Sequence, residues 1–146
     1  MVLSHDDSDN LTQNTFISTW KSLGNFRGEA RISTWVYRIS YNESLNFLNL
    51  QKCLGKVAIS DAKHNLGKSL QEDEHYRRDG IQIKLQTAIA LLPEKQKAVF
   101  IMKDYDEKKY VEIALITSTS VGALKVSFHH TVQKIESFMK NVNPGF

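Results

Sequence analysis

Side chains able to hold an unpaired nucleotide occur close together in the first third of this chain. Aromatic rings stack on bases, guanidinium groups bind phosphates, and an Asn amide can hydrogen-bond to a base edge. All three types occur within residues 26–42, at Phe26, Arg31, Trp35, Tyr37, Arg38 and Asn42. This combination favours the capture of single-stranded nucleic acid.

The apolar residues of the same segment have a second explanation. Ile32, Trp35, Val36 and Ile39 recur at helical spacing, which is typical of the buried face of a helix. On these residues alone, a core helix and a nucleic-acid surface explain the segment about equally well.

Two helices that would position these residues follow from hydrophobic spacing and from glycine. The pattern predicts a first helix over residues 11–23, which ends at Gly24, and a second helix over residues 32–50. From about residue 55 to residue 80 the periodicity fades into a polar sequence of mixed charge. Such a composition buries too little apolar area to offset the entropy lost on ordering. We therefore expect a flexible linker between two small helical modules.

The residues beyond the linker predict a second helical module, in which Pro93 stands where a new helix can begin. Its apolar positions at core spacing are Leu85, Ile89, Leu92, Val99, Phe100 and Met102. Residues 110–116 predict a short helix, and Ser120 follows a polar turn as a suitable N-cap for a final helix. A short helix, a turn and a longer amphipathic helix are typical of a helix-turn-helix. By this pattern alone, a helical bundle without DNA binding is the more frequent structure.

Composition narrows the class of protein. The 146 residues are 41% hydrophobic and 24% charged, which fits one modest domain or two very small ones. No apolar run approaches the roughly 20 residues of a transmembrane helix, and the N-terminus lacks the pattern of a signal peptide. We therefore expect a cytoplasmic protein without membrane insertion. The net charge of +3 has its excess in residues 81–146, which favours an anionic partner for that half.

The residues that could suggest catalysis or metal binding have simpler explanations. Cys53 is the single cysteine, which excludes an internal disulfide and a cysteine-rich zinc site, and we expect a buried or incidental thiol. The adjacent His129 and His130 would point in different directions on a helix, so they are poor joint ligands. No phosphate-binding loop or nucleophile motif occurs. We expect no cofactor, no metal and no enzymatic activity.

Two ordered motifs resemble those of a known family. The first is Phe-Arg-Gly-Glu at residues 26–29, then Thr-Trp-Val-Tyr-Arg-Ile at residues 34–39 and an Asn at residue 42. The second is Leu-Pro-Glu-Lys-Gln at residues 92–96, then Tyr-Val-Glu-Ile-Ala at residues 110–114 and Ser-Val-Gly-Ala-Leu-Lys at residues 120–125. In this order they resemble the motifs of the extracytoplasmic-function sigma factors, the small bacterial subunits that give RNA polymerase its promoter specificity.

The resemblance implies an all-α fold of two small helical modules joined by a polar linker. Residues 1–54 would form the region 2-like module, which docks on core polymerase and binds the minus-ten element. Residues 55–80 would be the linker, and residues 81–146 the region 4-like helix-turn-helix module for the minus-thirty-five element. The implied function is promoter recognition and transcription initiation. The implied partners are core RNA polymerase and promoter DNA, with an anti-sigma factor as a further candidate.

The resemblance also assigns roles to individual positions of this sequence. Those that match the family's minus-ten surface are Phe26, Arg31, Trp35, Tyr37, Arg38 and Asn42. Those that match its recognition helix are Lys125, Val126, His129 and His130. Those that match its polymerase-docking helix are Leu11, Gln13, Asn14 and Phe16.

The sequence departs from the family in several places. The docking helix has Asn10 and Asn14 where the family usually has Asp and Glu, and the recognition helix has Ser127 and His130 where arginines are common. Residues 117–119 replace the Gly that usually forms the turn. Only about ten residues precede the docking helix, where family members usually have a further helix or two. We therefore expect an uncovered apolar side in the first module.

Two alternatives remain open. A degenerate sigma paralogue would keep the C-terminal DNA-binding module and act as a regulator. A small helical interaction protein would dock on a protein partner and bind no DNA.

Overall fold

The computed structural model describes residues 5–28, 30–54 and 80–141. Within these ranges the regular structure is helical, and no strand occurs. The α-helices are α1 His5–Ser22, α2 Ile32–Cys53, α3 Gly80–Ala90, α4 Glu94–Phe100, α5 Tyr110–Thr117 and α6 Val121–Asn141. The all-α prediction is therefore confirmed, as is the helix-turn-helix formed by α5 and α6. The predicted linker falls almost entirely on residues 55–79, outside the described ranges.

The first module is a pair of packed helices, α1 and α2. A 3₁₀ turn at Leu23–Asn25 ends α1, which confirms the predicted end at Gly24. Ser18 Oγ donates to Glu43 Oε1 at 2.8 Å across the pair.

Few residues of this module are buried, because one side of α1 carries large apolar residues that remain open. The exposed side chains are Phe16, Ile17, Trp20 and Leu23, and Trp20 keeps 79% of its surface. The expected uncovered apolar side is therefore present. Ile32, which the spacing predicted to be buried, is 55% exposed at the first turn of α2.

The second module packs α3, α4 and α6 around an apolar core. Pro93 is the N-cap residue of α4, as predicted. The rings of Phe100 and Phe128 stack with centroids 5.9 Å apart. The buried members of this core are Ala88, Ile89, Leu92, Phe100 and Ile135.

A π-helix at Ile101–Tyr105 extends α4, and the sequence pattern did not predict it. The Asp106 N–H donates to the Ile101 carbonyl at 3.1 Å, five residues back. Glu107 then takes a positive φ of 51°, which turns the chain toward α5. The wider turn places Asp106 on the side that faces the first module.

The turn of the helix-turn-helix forms without glycine. Ser118 adopts the left-handed conformation, with φ 54° and ψ 39°, and its N–H donates to the Ala114 carbonyl. Ser120 Oγ accepts the Ala123 N–H at 3.3 Å, so the predicted N-cap is confirmed. Helix α6 leaves α5 at an angle of 101°. A serine therefore occupies a backbone conformation that glycine adopts freely, at a cost in strain.

The two modules contact each other through α2 and α5. Tyr41 of α2 is buried in a core made otherwise of C-terminal residues. We call this set the interface cluster; it comprises Tyr41, Ala98, Val99, Met102, Ile113, Ile116 and Leu124. Tyr37 and Leu45 of α2 are half-buried against it. The sequence left open whether the modules touch, and the structure shows that they share apolar core.

The single cysteine lies at the surface. Cys53 is exposed at the end of α2, so its thiol is not buried. None of the described helices alone is long and apolar enough to cross a membrane, while α5 and α6 reach that length and composition only as a bent pair.

Candidate nucleic-acid interface

An aromatic pair stands at the start of α2. The Phe26 and Trp35 ring centroids lie 5.0 Å apart at an interplanar angle of 47°. Gly28, with a φ of 71°, lets the entry loop reverse direction so that Phe26 returns onto the helix. Both rings are only half-buried, so part of this aromatic surface is open to a stacking partner.

The remaining members of the predicted minus-ten set divide between two sides of α2. Arg31, Trp35, Arg38 and Asn42 are spaced four, three and four residues apart, which places them on one face of a helix. We call these four residues the α2 face. Arg31, Arg38 and Asn42 are exposed. The face therefore presents two guanidinium groups, an indole and an amide.

Tyr37 points toward the C-terminal module. Its hydroxyl donates to the Asp106 carboxylate, and Lys108 Nζ lies 4.5 Å from its ring centroid. Burial raises the pKa of the Tyr37 hydroxyl, and the hydrogen bond and negative charge of Asp106 raise this pKa further. The phenol is thus a neutral donor held by the other module. In this conformation the prediction that Tyr37 lines the same surface as Trp35 is wrong, because the two residues lie about 200° apart around the helix.

The recognition-helix residues form an exposed group in the first half of α6. Lys125, Val126, His129 and His130 are all exposed. The His129 and His130 rings lie 6.1 Å apart and tilted, and within the described ranges no group of three or more His, Cys, Asp or Glu residues could hold a metal ion.

A cationic cluster at the start of α5 was missed in the sequence. Lys103 Nζ and Lys125 Nζ lie 4.7 Å and 5.9 Å from the Tyr110 ring centroid. The sequence pattern did not group these lysines, because Lys103 and Lys125 are far apart along the chain. The π-helix and the turn of the helix-turn-helix bring them to one aromatic ring.

The predicted polymerase-docking residues do not all reach the surface. Gln13, Asn14 and Phe16 are exposed on α1, and Phe16 keeps 69% of its surface. Leu11 is only 7% exposed. Its side chain therefore contributes to packing within the molecule and offers no direct contact in this conformation.

Comparison with known proteins identifies both modules. Residues 1–52 match the model of the family described as Sigma-70 region 2, and residues 82–135 match that of Sigma-70, region 4. The chain is 26% identical to the RNA polymerase sigma-H factor of Pseudomonas aeruginosa, over 93% of this chain and 76% of that protein. It is 26% identical to the ECF RNA polymerase sigma-E factor of Haemophilus influenzae, over 92% and 76%, and 24% identical to the sigma factor SigV of Bacillus subtilis, over 90% and 75%.

A solved structure shares the fold. The sigma factor RpoE of Bartonella quintana, in complex with the anti-sigma factor NepR, matches with a TM-score of 0.66 and 16% identity, over 95% of this chain and 84% of that one. Both family regions thus occur in order in one all-α chain whose relatives are sigma factors. This chain belongs to the extracytoplasmic-function sigma factors, the RNA polymerase subunits that direct promoter recognition.

Proposed function

We propose that the α2 face, with Phe26, holds the unpaired strand of the minus-ten element. The observation that carries this proposal is the half-open pair of Phe26 and Trp35, 5.0 Å apart, at one end of a face that also bears exposed Arg and Asn side chains. A base turned out of the duplex loses a few kcal/mol of stacking, which an aromatic wall can restore. The amide of Asn42 would hydrogen-bond to a base edge, and Arg31 and Arg38 would bind the flanking phosphates.

We assign the minus-thirty-five element to the first half of α6. Lys125, Val126, His129 and His130 lie together on the exposed surface that follows the turn, where a helix-turn-helix inserts its second helix into the major groove. Lys125 supplies the permanent positive charge, and Val126 offers an apolar contact of the kind that suits a thymine methyl group.

We assign polymerase docking to the exposed surface of α1. Gln13 and Asn14 supply hydrogen-bonding amides, and Phe16 supplies the apolar contact. The neighbouring Trp20, 79% exposed, extends this surface. Exposed aromatic residues of this kind are typical anchors of protein interfaces.

The proposed sigma function also implies a domain organisation, a cellular location and a lack of catalytic activity. The modules comprise residues 1–54 and 81–146, joined by residues 55–80, and the protein acts in the cytoplasm without catalysing a reaction itself. The Bartonella quintana relative is bound to an anti-sigma factor, and we infer that a protein of that class can bind this chain.

Reconstituted transcription tests the function. The purified chain is combined with bacterial core RNA polymerase and a promoter library, and run-off transcripts are sequenced. Promoter-specific transcripts are expected. Polymerase binding without transcripts would instead support a degenerate paralogue, and absence of binding would support a protein-interaction module.

A further inference from the structure

A shallow polar cavity lies beside the exposed surface of α6, between that helix and α4. Its volume is about 430 Å³. We call it the α6 notch, and the side chains that line it are Gln96, His130, Gln133, Lys134 and Ser137. His130 belongs to the predicted recognition set, whereas the other four residues have no role so far.

The side chains that line the α6 notch share one chemical property, because each of them can donate a hydrogen bond. They supply an ammonium group, two amide NH₂ groups, a hydroxyl and an imidazole. Among the described residues that line the notch, none is acidic. A cavity that combines a positive charge with neutral donors and has no carboxylate suits an anion.

A hydrogen bond between the two helices holds the charged group of the notch. Lys134 Nζ donates to Gln96 Oε1 at 3.0 Å. The amide oxygen of Gln96 is thus occupied, and its NH₂ group is left as a donor. Among the described residues, Lys134 forms no ion pair with a carboxylate. The positive charge of the notch is therefore held in place without being neutralised by an acid.

The position of the notch along α6 indicates which anion it meets. Gln133 and Ser137 follow His129 at intervals of four residues, so they continue the exposed stripe of the recognition residues. At about 1.5 Å per residue, they lie about 12 and 18 Å along the helix from Lys125. The major groove of B-DNA is about 12 Å wide. A helix that inserts its first half into the groove therefore brings the notch to the edge of the groove, where the phosphates lie.

We propose that the α6 notch binds a backbone phosphate of promoter DNA at the edge of the major groove, with Lys134 as the charged contact and Gln96 as its positioning residue. The proposal rests on the DNA-binding role assigned to α6 above. Because a phosphate contact carries no base preference, the notch fixes the position of α6 on the duplex. Sequence selection stays with the residues nearer the turn. Through Gln96, α4 becomes part of the DNA interface.

The salt dependence of promoter binding tests the charged contact. Holoenzyme is reconstituted from core polymerase and the full chain, and its affinity for several promoters is measured at a series of salt concentrations. Lys134→Ala should weaken binding to all promoters by the same factor. It should also reduce the slope of log K against log salt by about 0.9, the value for one phosphate contact on B-DNA.

Lys95→Ala is the matched control for Lys134→Ala. Lys95 is an exposed lysine of α4 that does not line the notch, so its substitution changes the net charge equally. The slope should stay unchanged in this variant. Equal changes of slope in the two variants would overturn the proposal, since net charge would then explain both. A loss by Lys134→Ala that is confined to one promoter sequence would also overturn it.

Neutral methylphosphonate linkages identify the phosphate and test the positioning role. They replace one phosphate at a time beside the minus-thirty-five element, and one position should weaken binding by the native chain. The same linkage should cause no further loss with Lys134→Ala, because the charge contact is already missing. Gln96→Leu should reduce the sensitivity to this one linkage and leave the others unchanged. Losses that simply add at every position would overturn the proposal.

Inorganic phosphate is a probe that does not need polymerase or a promoter. Titration into the isotopically labelled full chain should shift the NMR signals of the notch residues, and Lys134→Ala should abolish these shifts while Lys95→Ala keeps them. Shifts that do not involve the notch would overturn the site. If native holoenzyme selects no promoter, the sigma function fails, and the phosphate titration still decides whether the notch binds the anion.

Discussion

At the residue scale, the most consequential side chains are those whose backbone or neighbours give them an unusual environment. Ser118 takes a left-handed conformation in the turn, and Tyr37 is bonded across the modules. Glu112 accepts the Lys109 N–H at 3.0 Å. A complete capping box would also need the N-cap side chain to accept a backbone N–H. The Lys109 side chain has no acceptor, so only the bond from the Lys109 N–H to Glu112 forms at the start of α5. Each of these residues supports a structural or functional expectation.

Ser118→Gly should stabilise the protein by about 0.5–1 kcal/mol, because glycine adopts the left-handed conformation without the strain of a Cβ atom. Thermal unfolding measures the effect. Ser118→Ala is the matched control, since it removes the same hydroxyl but keeps the Cβ atom, and it should bring no gain. A gain from both substitutions would show that the hydroxyl, and not the backbone, is the cause.

Acid should remove the contribution of Glu112. The hydrogen bond from the Lys109 N–H lowers the pKa of this carboxyl below its usual value near 4.5, and nearby Lys108 and Arg31 lower the pKa further. A depressed pKa stabilises the folded state above the unfolded pKa, and the stabilisation is lost as the pH falls through the folded pKa. The difference in Tm between the native chain and Glu112→Gln should therefore be larger at neutral pH than at pH values below the folded pKa. Glu136→Gln, at an exposed position of α6, is the control. Its Tm difference from the native chain should depend less on pH than that of Glu112→Gln.

Asn42→Ala should reduce transcription from the preferred promoter about tenfold or more, because a lost contact to a base edge removes about 1–3 kcal/mol of discrimination. Polymerase binding should be unchanged. Asn49→Ala is the control, since Asn49 is an exposed amide on the same face of α2, two turns further along. Equal losses from the two variants would contradict a specific role for Asn42.

At the element scale, α5 is short and nearly all of its stability comes from its buried side. Its eight residues are too few for an isolated helix. Ile113 and Ile116 are 0% and 1% exposed, whereas Leu115 is 51% exposed. The helix-turn-helix therefore depends on tertiary packing, and the position of the turn depends on the elements beneath it.

Ile116→Ala should cost about 2–5 kcal/mol of unfolding free energy, since it leaves a cavity in the core. The neighbouring Leu115→Ala should cost less than about 1 kcal/mol, because half of that side chain already contacts solvent. Chemical denaturation of the two variants gives the comparison. Similar losses would show that the packing around α5 is looser than the structure describes.

At the scale of the whole molecule, the interface cluster makes the two modules dependent on each other. Tyr41 is the α2 residue buried among C-terminal side chains, at 7% exposure. A chain with separate modules could unfold in two steps, whereas a shared core couples them.

Tyr41→Ala should therefore destabilise both modules together, by about 3 kcal/mol. Amide hydrogen exchange, resolved by segment, should accelerate in α2 and in α5. Tyr105→Ala is the control, since Tyr105 is 52% exposed and should cost about 1 kcal/mol or less. Faster exchange confined to α2 would contradict the coupling of the modules.

The sequence alone determined the helices and the family. Helical spacing, Pro93 and Ser120 located most helix ends to within a few residues, because local capping and amphipathic patterns act over one or two turns. The start of α1 was wrong, since the helix begins at His5 and the apolar pattern begins only at Leu11. The same local information located the aromatic and arginine residues of α2. It also indicated the helix-turn-helix, in whose turn Ser118 takes the left-handed conformation.

Only the tertiary structure decided which side of each helix meets another. Spacing predicted burial for Ile32, which is exposed, since the pattern cannot tell which apolar residues find a partner. The family resemblance grouped Tyr37 with Trp35, although Tyr37 bonds to Asp106 and the π-helix that directs Asp106 inward was not predicted. These outcomes depend on contacts between residues far apart in the chain, such as Tyr41 with Ile113. Periodicity within one helix carries no information about such contacts.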